Sequence, residues 1–347
     1  MLYENAIVQK DMDDLIERDY LHFEKLKNKT VLVTGASGML AYYFTCALMH
    51  LNLKKNYQIK VLALVRNKEK AEKNFEAFLH NSLFELVIQD VCAEIKVTEP
   101  VHYIVHAAGG ASPYQIKNNP LGIIHANLDG TVNVCELAKN NPIEKVLYTS
   151  TREVYGKIEG QEWIREEDMG SVDPIDPRSC YPESKRMAEQ IFRSYEVSCK
   201  IPFNIVRIAH SYGPGMIVGN DGRVMADFMT NVIHGEDIVL KSAGDAIRAF
   251  CYITDAVAGM FCVLLDGEQG QVYNIANETE PYMIRDVARM LIEVSGKEIQ
   301  LVYDTTADQS AYCNYKRVGL ATDKIEALGW KPEIQLKDGL DRTLQTM

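Results

Sequence analysis

The sequence predicts an α/β fold, a doubly wound parallel sheet with a smaller, discontinuous α/β lobe, and three observations lead there. Short aliphatic or β-branched runs alternate with helical stretches from Thr30 to Ile208. Strands joined by crossover helices lie parallel and are covered on both faces. A glycine-bearing turn follows the first run directly, and beyond residue 209 the alternation loosens into segments rich in glycine and charge. At 347 residues the chain can bury one large core and a second lobe without staples.

Taken in order, Met12, Leu15, Ile16, Tyr20, Phe23 and Leu26 recur at helical spacing over 11–27, which makes residues 1–29 an N-terminal helical extension. Thr30-Val31-Leu32-Val33-Thr34 is a buried strand. Further strands are predicted at 59–65, 85–88, 103–107, 145–150 and 203–208, with helices near 119–140 and 181–198. Then come a helix at 223–235, a helix over 251–266 returning to the sheet and a last core strand at 271–276. A helix at 283–295, a strand at 298–303 and the Leu328-Gly329-Trp330 segment close the chain. Repeats and low-complexity linkers are absent.

The formal charge of -11 argues against a nucleic-acid partner, which wants a net basic face. Local arginines can still hold an anionic small ligand. The eight cysteines form no C-x-x-C pair, and no His/Cys cluster has metal-ligand spacing, so no metal site is expected. They read as free thiols of a reducing compartment. The first 20 residues lack the apolar stretch of a signal peptide, and no run approaches the roughly 20 apolar residues that span a bilayer. The expected location is the cytoplasm, with no membrane partner.

Thr34-Gly35-Ala36-Ser37-Gly38-Met39-Leu40-Ala41 lies between the first strand and an apolar helix. Gly35 permits the tight turn, Gly38 lets backbone approach a pyrophosphate, and Ala41 allows close helix–strand packing. The helix's first amides then face the phosphates. Glycines at this spacing are weak evidence alone; their place at the head of a βαβ series makes this a Rossmann-type dinucleotide site. Residues 30–208 with 250–277 are then the dinucleotide-binding domain, and 209–249 with 278–347 the substrate-binding lobe. The second strand ends in Arg66 rather than an acid, which leaves NAD and NADP both open, Arg66 meeting a 2′-phosphate, stacking on adenine or staying solvated. Asp90 and Val91 end the next strand, within reach of the adenine edge.

Tyr181 and Lys185 stand at i and i+4 of one helix. An ammonium beside the phenol is expected to favour the phenolate and lower its pKa, so that the pair can take a sugar hydroxyl's proton. Upstream, Thr149-Ser150-Thr151-Arg152-Glu153-Val154-Tyr155-Gly156 falls at a strand's C-terminal end, where open α/β sheets bind ligands. Thr151 can share the reacting proton, and Glu153 brings a carboxylate near the sugar.

With these residues the chain resembles an extended short-chain dehydrogenase of the NAD-dependent epimerase/dehydratase family, over nearly its whole length after residue 29. The matching segments are 34–41, His106-Ala107-Ala108, Asn127 in Ala-Asn-Leu-Asp-Gly-Thr, Ser-Thr-x-Glu-Val-Tyr-Gly (150–156), Tyr181-x-x-x-Lys185, Tyr212-Gly213-Pro214 and the late Leu-Gly-Trp. Within the family it is most similar to UDP-glucuronate decarboxylases, through Ala111-Ser112-Pro113, Asn119-Pro120, 212–216, Asp221-Gly222-Arg223-Val224, Arg248-Ala249-Phe250-Cys251-Tyr252 and Lys316-Arg317. The resemblance implies NAD held by Gly35, Ser37, Gly38, Met39, Leu40, Ala107, Ala108, Asn127 and Lys185. It implies Tyr181, Lys185, Thr151 and Glu153 as catalytic, and a UDP-linked nucleotide sugar touched by Ser112, Arg152, His210, Arg223, Arg248 and Arg317. Relatives dimerise through the helices at 119–140 and 181–198, so a homodimer is expected.

Three departures stand out. Arg152 replaces the decarboxylases' small residue and the aspartic acid of 4,6-dehydratases. His210 replaces an Asn before Tyr-Gly-Pro, and Lys241 and Ala246 replace the aromatic and Gln of the uridine-side segment. The readings left open are decarboxylation, 4-epimerisation (of a uronate, for instance), 4,6-dehydration, net reduction and a non-catalytic dinucleotide sensor. The first three of these reactions begin by oxidising C4 to a ketone.

Overall fold

The computed structural model describes residues 2–219, 222–304 and 319–347. Seven strands form the central sheet: β1 (Thr30–Thr34), β2 (Lys60–Val65), β3 (Phe84–Ile88), β4 (Tyr103–His106), β5 (Lys145–Thr151), β6 (Phe203–Ile208) and β7 (Val272–Ile275). Their spatial order is β3-β2-β1-β4-β5-β6-β7, with every neighbouring pair parallel. The order reverses between β1 and β4, where Thr34 pairs with Leu64 on one side and His106 on the other. That reversal opens the crevice at which Rossmann-type sheets take their ligands.

The main helices are α1 (Ala6–Ile16), α2 (Met39–Lys55), α3 (Pro120–Lys139), α4 (Cys180–Cys199), α5 (Val224–His234), α6 (Ile253–Asp266), α7 (Ile284–Ser295) and α8 (Leu336–Leu344). Alternation along the strands sends Val31, Val33 and Val105 into a core shared with α2 and α6. Leu32, Ile104 and Val146 pack on the opposite face with residues of α3 and α4. Both faces are therefore covered, which is why the strands read as continuous apolar runs.

The extension differs from its expectation. The predicted helix 11–27 is instead α1, capped by the Asn5 side chain at Ile7 N, followed by a turn and a 3₁₀ segment at Phe23–Leu26. The chain turns at Glu17 because Arg18 leaves the helix to reach Asp255 at 2.6 Å, both side chains buried. The extension also explains α2, which is buried without a break from Ala41 to Asn52 and has no polar face. A helix apolar all round needs cover on its outer side, and Val8, Met12 and Leu15 supply it.

Outside the central sheet the structure forms two-stranded pieces, of which the sequence announced only the strand at 298–303, seen as Leu301–Tyr303. Ile238–Leu240 pairs with Leu301–Tyr303, Ile247–Ala249 with Pro281–Met283, Cys251–Tyr252 with Ser211–Tyr212, and Trp163–Ile164 with Gly319–Leu320. Helix α8 was likewise not foreseen. Trp330 of the Leu-Gly-Trp segment is buried and donates from its indole nitrogen to Asp255 O at 2.9 Å. No helix among the described residues is long and apolar enough to cross a membrane.

Candidate active site

The turn after β1 is held against the end of β4. Thr34 Oγ1 accepts from Ala107 N (3.2 Å) and Ala108 N (3.3 Å) and lies 2.8 Å from His106 Nδ1. Burial keeps His106 neutral, its pKa pushed to about 3. Gly35 has φ +64, and a Cβ there would sit 2.7 Å from Ala108 Cα. Only glycine fits. Gly38 is the N-cap of α2, so Met39 and Leu40 open its first turn, and Ala41 is buried against the core.

Two buried polar atoms here have no protein partner: Ser37 Oγ and Asn127 Oδ1. Buried polar atoms seldom go unpaired, so both fit a polar ligand lying along the crevice. Gly109, with φ +143, would drive a Cβ to within 2.8 Å of Asn127 Oδ1 and 3.8 Å of Lys185 Nζ. The missing side chain leaves a cradle between these groups, and the residues present fit a dinucleotide. At the far end Arg66 Nη1 lies 3.8 Å from Asp90 Oδ2, both exposed. That carboxylate offsets the positive charge on which the argument for a 2′-phosphate stood. Val91 is buried, and its carbonyl accepts from Asn133 Nδ2 at 2.9 Å.

Tyr181, Ser184 and Lys185 occupy the buried first turns of α4. Lys185 Nζ donates to Thr149 O at 2.8 Å and lies 4.6 Å from the centre of the Tyr148 ring. Burial pulls its pKa down to about 7, with Glu189 opposing. Asn127 Nδ2 donates to Ser184 Oγ at 2.9 Å, which ties α3 to α4. Behind them Glu189 accepts from Ser150 Oγ (2.5 Å) and from Arg207 (2.6 and 3.1 Å). This network holds β5, β6 and α4 together.

The expected lowering of the Tyr181 pKa is not found. Burial, reinforced by the Glu153 charge, raises it, while a Thr151 hydrogen bond, Arg223 and Arg178 oppose. Lys185 spends its ammonium on the Thr149 carbonyl and the Tyr148 face instead. Thr151 has a second duty, accepting from Glu153 N at 3.2 Å and so capping the 3₁₀ turn Arg152–Tyr155.

Glu153 is gripped by a partner the sequence did not indicate. Arg178 Nη1 and Nη2 donate to its Oε2 and Oε1 at 2.7 and 2.9 Å, a bidentate pair. The only sequence hint was the Asp176-Pro177 turn, which sets Arg178 three residues before Tyr181. Nothing in the spacing named its carboxylate.

Arg152 and His210, two of the three departures, meet: Arg152 Nη1 lies 3.1 Å from His210 Nε2. They line a cleft with Ile247, Arg248, Glu278 and Leu320. Glu278, not singled out beforehand, accepts from Leu320 N at 2.8 Å. Ser112 caps the short helix Pro113–Asn118. Gly222, beside Arg223, approaches Pro113, its Cβ position 3.1 Å from Pro113 Cβ. Arg317 lies outside the described residues. Among the described residues no His/Cys/Asp/Glu group is placed to hold a metal, and the described cysteines are all free.

The crevice with its glycine turn and the adjoining Tyr/Lys helix define a dinucleotide-dependent oxidoreductase core. The family model of the NAD dependent epimerase/dehydratase family matches residues 31–276, and the chain belongs to that family. It is 33% identical over 317 residues to UDP-glucuronic acid decarboxylase 6 of Arabidopsis thaliana, covering 90% of this chain and 87% of that one. It is 31% identical over 318 residues to UDP-glucuronic acid decarboxylase 1 of Xenopus tropicalis, covering 91% and 71%. The fold is shared with UDP-glucuronic acid 4-epimerase from Bacillus cereus, solved with UDP-glucuronic acid and NAD, at TM-score 0.76 and 22% identity over 91% of this chain and 98% of that one. This is an NAD-dependent enzyme that modifies nucleotide sugars.

Proposed function

We propose that the chain decarboxylates a UDP-linked uronic acid through a 4-keto intermediate. The observation that carries this is the setting of Thr151 and Glu153: they flank Arg152, whose guanidinium lines a cleft with Arg248 beside the candidate catalytic turn. A sugar carboxylate is stabilised by such a surrounding. The acid that a 4,6-dehydratase uses at this position is an arginine here. The similarity to decarboxylases over 90% of the chain points the same way.

In this reading Gly35, Ser37, Gly38, Met39, Leu40, Ala107, Ala108, Asn127 and Lys185 hold NAD, with Arg66, Asp90 and Val91 at its adenine end. When bound, NAD would supply the hydride chemistry at C4 of the sugar. Tyr181 removes the C4 hydroxyl proton, with Thr151 sharing it. The ketone lies β to the carboxylate, so CO2 leaves with its bonding electrons delocalised into an enolate, and a proton is then added at C5. Arg178 weakens the opposition of Glu153 to a phenolate at Tyr181, leaving the carboxylate to act near C5. Ser112, Arg223 and Arg317 contact the nucleotide sugar. The two-domain division at 30–208 with 250–277 and 209–249 with 278–347 belongs to the same proposal, as does a cytoplasmic location.

A homodimer is also proposed. Leu121 and Val132 of α3 and Met187 and Val197 of α4 are exposed apolar side chains on adjacent helices. Burying them against a second copy removes apolar area from water; sedimentation at the dimer mass supports this, and a monomer at micromolar concentration refutes it.

The deciding experiment incubates the enzyme with UDP-glucuronate and NAD and follows products by NMR. A UDP-pentose with CO2 release is expected. A retained carboxylate with C4 inverted would replace decarboxylation by epimerisation.

A further inference from the structure

His210 sits in a conformation that needs a reason. Its φ is +48, in the left-handed region that side chains other than Gly and Asn enter at a cost. Its ring packs beside Phe250, centroids 5.8 Å apart, and its carbonyl accepts from Cys251 N at 3.2 Å. Strained residues persist where the surroundings over-determine them, often at a ligand site.

Two cations, Arg152 and Arg248, bear on the ring, and the Glu278 carboxylate lines the same cleft. Burial with the two arginine charges holds the ring's pKa well below the ordinary value. A guanidinium has no acceptor, so in the 3.1 Å contact Arg152 donates and Nε2 receives. The hydrogen of the neutral ring is thereby placed on Nδ1. Arginine is a long side chain that loses much rotamer freedom when fixed. An acceptor at the cleft wall helps to aim the guanidinium before any ligand arrives, as positioned catalytic and binding groups require.

We infer that His210 is a positioning residue whose imidazole accepts from Arg152 and, together with Arg248, fixes a two-guanidinium seat for an anionic substituent at C5 of the sugar. Arg152 and His210 then form one specificity-determining unit. This deepens the uronate reading of the proposed function and rests on it. The seat selects the acid over the neutral sugar whichever reaction follows at C4.

The test compares UDP-glucuronate with UDP-glucose, whose C6 is a neutral hydroxymethyl. Dissociation constants for both are measured by calorimetry with NAD present, for wild type, Arg152→Ser, His210→Asn, His210→Gln and Arg152→Ser/His210→Asn. Asn tolerates the left-handed backbone but stops short of Arg152, whereas Gln restores an acceptor at greater reach. Arg152→Ser is expected to cut the preference for the acid by about ten- to a hundredfold, the span of a hydrogen bond to a charged group. His210→Asn should lose most of the same preference, His210→Gln should recover it, and the double variant should match Arg152→Ser alone. Losses that multiply, or that fall equally on both nucleotides, would overturn the pairing. Wild type binding the acid no tighter would overturn the seat. A preference for the acid with C4 inversion as the reaction leaves the inference standing and removes only decarboxylation.

Discussion

Around Gly35 and Lys185 the site is made from the ends of β1, β4 and β5, long runs whose register is fixed over four or more residue pairs. Around Arg152 and His210 it is made from strands of two or three residues, Ser211–Tyr212 paired with Cys251–Tyr252 and Ile247–Ala249 paired with Pro281–Met283, outside the central sheet. In the first region hydroxyls and carbonyls hold the turn and the one buried ammonium, at Lys185, while the Glu189–Arg207 pair ties β5, β6 and α4 together behind them. In the second, guanidiniums and carboxylates face one another across a cleft. The floor thus gets its precision from the sheet, and the cleft from charges placed on short segments. Chemistry common to many substrates suits the first arrangement, and choice among substrates the second.

The contrast can be attacked in order of expected effect. Tyr181→Phe at the floor should cut turnover by about 10²–10⁴-fold, while NAD released by heating stays stoichiometric with protein; undiminished turnover would remove Tyr181 as the base. Glu153→Gln at the seam of the two regions should lower kcat by about 10²-fold with nucleotide-sugar affinity nearly unchanged. An affinity loss of the same size would make Glu153 a binding group instead.

Lys185 offers a pH test of the floor. Its folded pKa, about 7, lies below its unfolded value near 10.5, so between those limits the unfolded chain holds more protons. Stability from this residue must therefore rise with pH in that window, by about 2 kcal/mol from pH 7 to 8.5. Guanidinium unfolding at both pH values should show that rise in wild type and not in Lys185→Met; parallel curves would refute the buried ammonium. The smallest effect belongs to Arg178→Gln. Its pair with Glu153 is half exposed and screened, so kcat should drop about threefold to tenfold. No further drop is expected in the Glu153→Gln background, and an additive loss would separate the two residues.

The same contrast explains what could be read in advance. Strands β1 and β6 follow from β-branched runs of period-independent burial, and Tyr181/Lys185 from a single helix, because each is local in sequence. The helix at 11–27 was misread because its apolar spacing continues through Tyr20 and Phe23, while the buried pull of Asp255 on Arg18 breaks it. Arg178 on Glu153 and Arg152 on His210 join residues 25 and 58 positions apart, and spacing carries no information at that range. The pKa of Tyr181 was misjudged for a related reason: neighbourhood on a helix showed Lys185, whereas burial and Glu153 decide.

The N-terminal extension has a consequence for how the protein is made. Asp11 is fully buried and takes hydrogen bonds from Tyr252 Oη (2.7 Å) and from Arg342 Nη1 (2.7 Å), the latter 331 residues downstream. Arg18 waits in the same way for Asp255. Burying either charge alone is costly, so Asp11 is expected to stay solvated until Arg342 has been made, and Arg18 until Asp255 has. Helix α1, which covers the outer face of α2, is thereby tied through Asp11 to the nine-residue helix α8.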